Sequence, residues 1–205
     1  MASTARAFET IRTLHRPADT GQVSDAALMA QVAQGDRRAI RVLFGRYQLI
    51  VYRFVLRLVG NSASAEDIVS EVFLELWRHA ESFEGRARLS TWILAIARNK
   101  AVSSMRGRSE LPLDDATAQA IPDEAATAEQ TLDAAKRSAL LRQCLAQLSP
   151  AHREIIDLVY YHEKSVEEVA AIVGAPAATV KTRMFYARRR LAAHLKAAGV
   201  ETVHC

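Results

Sequence analysis

The stretch Ser165–Arg190, SVEEVAAIVGAPAATVKTRMFYARRR, decides how this chain folds. Ser165 followed three residues later by Glu168 is a capping box, which opens a helix by satisfying backbone N–H groups that lack partners inside it. Val166, Val169, Ala170 and Val173 then recur at i, i+3, i+4 and i+7 and make one apolar face. Gly174 supplies a left-handed stop and Pro176 restarts the chain. The next helix holds Val180, Met184, Ala187 and Leu191 on one side. With a turn every 3.6 residues, its opposite side carries Thr182, Phe185, Tyr186 and Arg189, flanked by Lys181, Arg183, Arg188 and Arg190. A core helix would not turn Phe185 and Tyr186 away from its own apolar stripe. A helix entering a DNA major groove would, because cations pair with phosphates and guanines while aromatic and Thr groups meet thymine methyls. The pattern predicts a DNA-binding helix-turn-helix, with a protein-docking bundle as the other reading.

Upstream of this unit the periodicity continues. Leu140, Leu141, Cys144, Leu145 and Leu148 form one stripe, Ser149-Pro150 marks a helix start, and Ile155, Ile156, Leu158 and Val159 form another stripe. Residues 132–200 are therefore one domain, with 201–205 a short tail. Before it lies a segment of different character. Residues 107–131 carry 1 basic and 6 acidic groups, include Pro112 and Pro122, and lack any sustained apolar period. This is a flexible acidic linker.

The two sides of the linker are basic. Residues 24–106 carry 12 basic and 8 acidic groups, and residues 132–205 carry 11 and 7. Two cationic blocks on a tether suit a nucleic acid touched at two places, although plain solubility also accounts for a charge run. Residues 1–24 carry an amphipathic hint in Ala7, Phe8, Ile11 and Leu14 but also Glu9 and Asp19, and read as a flexible tail.

Residues 25–106 predict a helical bundle. Apolar residues recur at three and four from Leu28 through Leu58, with a break at Gly35-Asp36 and a stop at Gly60-Asn61. Ser64 through Asp67 resembles a capping box for the next helix, whose core stripe is Ile68, Val69, Val72, Phe73 and Leu76. Asp67, Glu71 and Glu75 fall four apart on its outer surface and form an acidic ridge. The ridge is either solvated or docks a basic partner; carboxylate metal ligation lacks a His at a matching offset. Beyond Phe83 a short basic loop, Glu84 to Leu89 with Gly85, Arg86 and Arg88, leads into a helix opened by Ser90. That helix keeps Ile93, Ile96 and Ala97 inside and turns Arg98, Asn99, Lys100 and Arg106 elsewhere. Cations beside Trp92 could grip single-stranded DNA, with phosphates tracked by charge and a base taken from the stack; Trp92 could equally belong to the core.

Composition bounds the rest. Half of the 205 residues are apolar, aromatics are 6%, and Gly is 8 and Pro 5, which favours an all-α chain and disfavours sandwiches and barrels. Cys144 and Cys205 cannot make a disulfide framework and suit a reducing cytosol. No apolar run is long enough for direct membrane insertion, and the start has no secretory h-region. The six histidines, His15, His79, His152, His162, His194 and His204, form no HExxH. No Ser/His/Asp set is discernible, and neither catalysis nor a metal or other cofactor is expected.

Three motifs in order, Ala65 to Trp77, Leu89 to Asn99, and Thr179 to Arg188, resemble bacterial extracytoplasmic-function (group IV) sigma factors of the sigma-70 family. The resemblance covers about residues 25–200. It implies a first domain (σ2) that binds the β′ clamp helices of core RNA polymerase and melts the minus-ten element. It implies a second (σ4) that reads the minus-thirty-five element and contacts the β flap. Asp67, Glu71 and Glu75 would lie on the clamp-binding helix. Gly85, Arg86, Arg88, Trp92, Arg98, Asn99 and Lys100 would match the minus-ten segment. Lys181, Thr182, Arg183, Phe185, Tyr186, Arg188 and Arg189 would match the recognition helix. The same resemblance implies promoter-directed initiation in the bacterial cytoplasm, under environmental or envelope stress, held in check by an anti-sigma factor. The rival classes are a stand-alone helix-turn-helix regulator and a helical adaptor. A repressor usually dimerises, and no coiled-coil heptads are visible; an adaptor has no need of a basic recognition helix.

Overall fold

The computed structural model describes residues 23–109 and 131–198; most of the expected N-terminal tail, of the acidic linker and of the C-terminal tail with His204 and Cys205 lies outside the described residues. All regular structure among the described residues is helical, and it gathers into two compact units.

The first unit is built from α1 (Asp25–Ala33), α2 (Arg37–Val59), α3 (Ser62–Arg78), a 3₁₀ turn (Ala80–Ser82) and α4 (Leu89–Ser109). Each early start is capped by a short polar side chain. Ser24 Oγ accepts from Ala27 N at 3.2 Å, Asp36 Oδ1 from Arg38 N at 2.7 Å, and Asn61 Oδ1 from Ser64 N at 2.9 Å. The cap of α3 is thus Asn61 and not Ser64; Ser64 is buried one turn inside, its hydroxyl donating to the same Asn61 oxygen. Gly60 ends α2 at φ +71, a left-handed backbone in which a side chain is strained. The turn between α2 and α3 needs only two residues because of it.

Helices α2, α3 and α4 pack on one another, and α1 covers α2. Leu43, Val51, Phe54 and Val55 of α2, Val72 and Leu76 of α3, and Ile93 and Leu94 of α4 are fully buried. Truncating Phe54 to Ala in such a packed site costs about 3–5 kcal/mol, transfer and cavity together. The expected α3 stripe, Ile68 to Leu76, is buried throughout. On α4 the inner face is Ile93, Leu94, Ala97 and Ala101, while Ile96 is half-buried. Phe44 is 39% exposed and rests edge-on against Phe73, with centroids 4.8 Å apart. Arg46 fastens α1 to α2 by donating to Asp25 Oδ1 and to Val23 O, both at 2.8 Å, and Tyr47 donates to the other Asp25 oxygen. Burial, with Asp25 beside it, pushes the Tyr47 phenol well above its usual range.

The second unit runs from α5 (Thr131–Ala146) through α6 (Pro150–Ile156), α7 (Val166–Val173) and α8 (Ala177–Ala197), most of α7 included. Cys144, Leu148, Ile156, Ala187 and Leu191 form a buried cluster, with Leu141, Leu145, Tyr160 and Leu195 against it. Cys144 is a free thiol whose pKa burial pushes up, as suits a packing residue. Ser149 precedes Pro150 but makes no side-chain cap; Arg153 Nη2 donates instead to the carbonyls of Ala146 and Leu148, at 2.8 and 3.2 Å. Beyond α6 the helix widens into a π turn, Asp157–Tyr161, which no apolar period anticipates. Glu163, at φ +50, then turns the chain toward α7. The capping box forms as its sequence predicts. Glu168 N donates to Ser165 Oγ at 3.1 Å and Ser165 N to Glu168 Oε2 at 2.9 Å. Gly174, at φ +64, ends α7.

Candidate nucleic-acid and polymerase interfaces

The acidic ridge lies along α3. Asp67 and Glu71 are exposed and Glu75 is half-buried, all outside the apolar stripe that holds α3 in the bundle. Leu74 stands among them, 47% exposed. The ridge is not a bare row of carboxylates. Lys100 of α4 reaches across and places Nζ 3.4 Å from Glu71 Oε2 and 3.3 Å from Glu75 Oε2. Beside that contact is an open cleft of about 460 Å³, lined by Asp67, Glu71, Lys100, Ser103 and Ser104 among others. One member of the expected minus-ten set is thereby brought to two members of the expected polymerase set.

The remaining residues of the expected minus-ten set are arranged along the start and middle of α4. Gly85 (φ +69), Arg86 and Arg88 are exposed on the loop, and Arg86 Nε is 2.5 Å from Glu84 Oε2. The Arg88 carbonyl accepts from Thr91 N and Trp92 N, which joins the loop to the first turn of the helix. Trp92 is half-buried and packs against Phe83, with centroids 5.3 Å apart. Arg98 is half-buried and Asn99 exposed. At 1.5 Å per residue, Asn99 sits roughly 16 Å along the helix from Arg88, a span of several nucleotides of extended strand.

The face expected to read DNA lies on α8. Val180, Met184, Ala187 and Leu191 are buried, and this leaves Lys181, Thr182, Phe185, Tyr186, Arg188 and Arg189 exposed, with Arg183 half-buried. Phe185 and Tyr186 are 61% and 49% exposed and meet edge to face at 5.4 Å. Thr182 Oγ1 donates to Ala178 O at 3.0 Å. Two residues outside the helix bear on this face, and the sequence reading missed both. Tyr160, from the π turn, accepts from Arg188 Nε at 2.7 Å. His152 of α6 has its pKa lowered by burial first and then by the charges of Arg190 and Arg183. No periodicity could link residue 160 to residue 188; only the docking of α6 on α8 does.

Comparison with known proteins gives the family of the chain. Residues 43–110 match sigma-70 region 2, and residues 138–191 match sigma-70 region 4. The chain belongs to the extracytoplasmic-function (ECF) RNA polymerase sigma factors. It is 33% identical over 175 residues to the ECF RNA polymerase sigma factor SigL of Mycobacterium tuberculosis, covering 85% of this chain and 98% of that one. It is 29% identical to SigW of Bacillus subtilis, covering 81% and 94%. Among solved structures, the sigma factor RpoE of Bartonella quintana, crystallised with the anti-sigma factor NepR, aligns with a TM-score of 0.63 at 26% identity. That alignment covers 76% of this chain and 96% of the other. The chain is therefore an alternative sigma factor that binds core RNA polymerase and directs it to promoter DNA, and the stand-alone regulator is not favoured. No helix among the described residues is long and apolar enough to cross a membrane.

Proposed function

We propose that the two units divide promoter recognition between them. Residues 25–106 dock on the polymerase β′ clamp helices through Asp67, Glu71 and Glu75. The same unit opens the minus-ten element with Gly85, Arg86, Arg88, Trp92, Arg98, Asn99 and Lys100. Residues 132–200 read the minus-thirty-five element with Lys181, Thr182, Arg183, Phe185, Tyr186, Arg188 and Arg189, near the β flap. Residues 107–131 tether the two. The observation that carries the reading is α8, with a buried apolar stripe on one side and cations flanking two exposed aromatics on the other. Such a face suits a groove lined by phosphates and thymine methyls. Two modest DNA contacts become one strong one when a rigid partner holds them at the right span.

The protein performs no catalysis of its own and works in the cytoplasm. An anti-sigma factor holds it in check until an envelope or environmental stress releases it; the Bartonella quintana relative bound to such a partner supports this. The test is transcription in vitro by core polymerase supplied with this chain. Discrete start sites on genomic DNA are expected, lost together with core binding when Asp67, Glu71 and Glu75 are all reversed to Lys. Co-purification of the triple variant with core at the unchanged yield refutes the docking assignment.

A further inference from the structure

Two surfaces have a claim on Lys100. Its Nζ lies 3.4 Å from Glu71 and 3.3 Å from Glu75, and its side chain is 24% exposed. Glu71 and Glu75 are one turn apart on α3, so their carboxylates converge on one ammonium. Along α4, Lys100 follows directly on the exposed Asn99, on the helix that leaves the Arg86–Arg88 loop. The open cleft lined by Asp67, Glu71, Lys100, Ser103 and Ser104 leaves room for a second cation to enter and for the long lysine stem to swing.

We propose that Lys100 is a relay between polymerase docking and strand capture. In the free chain it neutralises Glu71 and Glu75; a basic partner surface docking on α3 takes over those carboxylates and releases the ammonium to a phosphate of the single strand. The inference rests on the assignment of α3 to polymerase and α4 to DNA. A half-exposed ion pair is weak enough to exchange, and a docked surface presents several cations at once. The free chain therefore holds one cation fewer for stray DNA, and gains it on the polymerase, where promoter opening takes place.

The test is the binding of a labelled oligothymidine strand to the full chain across a salt series. Glu71→Gln with Glu75→Gln should steepen the log–log salt dependence by about 0.7, the share of one single-strand phosphate contact. With Lys100→Gln added to the same chain, the steepening should vanish; if it persists, the relay is wrong. Glu66→Gln removes an exposed carboxylate of the same helix outside the ridge and the cleft lining, and should leave the slope unchanged. In the assembled holoenzyme, Lys100→Gln should bind core at least as tightly as the unchanged chain and slow strand opening severalfold. Weaker core binding with unchanged opening would instead make Lys100 a staple that holds α3. Undiminished core binding by the Glu71→Gln, Glu75→Gln chain strikes the docking assignment itself. Diminished binding with steepening that survives the loss of Lys100 strikes the relay alone.

Discussion

Arg188 is anchored by a hydroxyl 28 residues earlier: its Nε–H donates to Tyr160 Oη at 2.7 Å, and its guanidinium carbon lies 5.6 Å from the Tyr160 ring centroid. Tyr160 itself sits in the π turn and packs against the core of its unit. A cation on the exposed face of α8 is thus aimed from the interior of the fold, as a preorganised contact requires. Tyr160→Phe keeps the ring and removes the acceptor. Melting should hardly change, while holoenzyme affinity for a minus-thirty-five duplex falls by about 0.5–1.5 kcal/mol, the worth of one hydrogen bond. Fluorescence anisotropy measures this; equal affinities would mean that the anchored rotamer is not the one that meets DNA.

Lys181 and Arg183 should separate by role. Lys181 is exposed, whereas Arg183 is half-buried on the helix flank beside His152. Arg183→Ala is expected to cost about 1–3 kcal/mol on the cognate promoter and less on a scrambled one, as a base contact does. Lys181→Ala should weaken both alike and reduce the log–log salt slope by about 0.9, the signature of one duplex phosphate. Competition assays with mutated minus-thirty-five sequences decide it.

His152 should make the second unit acid-sensitive. Burial, with Arg190 and Arg183 adding to it, lowers its pKa below the ordinary 6.5. Between the lowered value and 6.5 the unfolded chain binds a proton that the folded one does not, so stability rises with pH there. The contribution is complete above 6.5 and is lost as pH falls through the region below it. His152→Gln should flatten that part of the profile, read as chemical denaturation midpoints from pH 7.5 down to about 5.5. DNA phosphates brought to Arg183 and Arg190 oppose those charges, so binding should also raise the His152 pKa, a shift visible by NMR.

Two local devices should carry measurable stability. Ser165→Ala removes one half of the capping box of α7, a helix of only 8 residues, and should cost about 0.5–2 kcal/mol in urea unfolding. At Gly60 an added Cβ would meet nothing within 4 Å, so Gly60→Ala carries backbone strain alone, about 1–2 kcal/mol.

The α8 face shows how much of a candidate site follows from spacing alone. Val180, Met184, Ala187 and Leu191 repeat at helical spacing, and their burial leaves Phe185, Tyr186 and the cations outside. The α3 ridge was legible in the same way, since Asp67, Glu71 and Glu75 are spaced by the helix itself. Capping at Ser165 and the left-handed stops at Gly60 and Gly174 are also local chemistry, decided within a few residues. Where two local signals competed, the nearer polar residue won: Asn61 caps α3, and Ser64 is drawn into the core.

Spacing along the chain sets the helices, their inner and outer faces, and the two basic units either side of an acidic stretch. Which outer groups meet depends on how the helices pack. Lys100 is 25 residues from Glu75, and Tyr160 is 28 from Arg188. Those distances close because separate helices dock on shared apolar stripes, and the apolar burial that docks them is indifferent to the polar pairs it brings together. The π turn that aims Tyr160 belongs to the same class, since a widened helical turn has no period of its own to announce it.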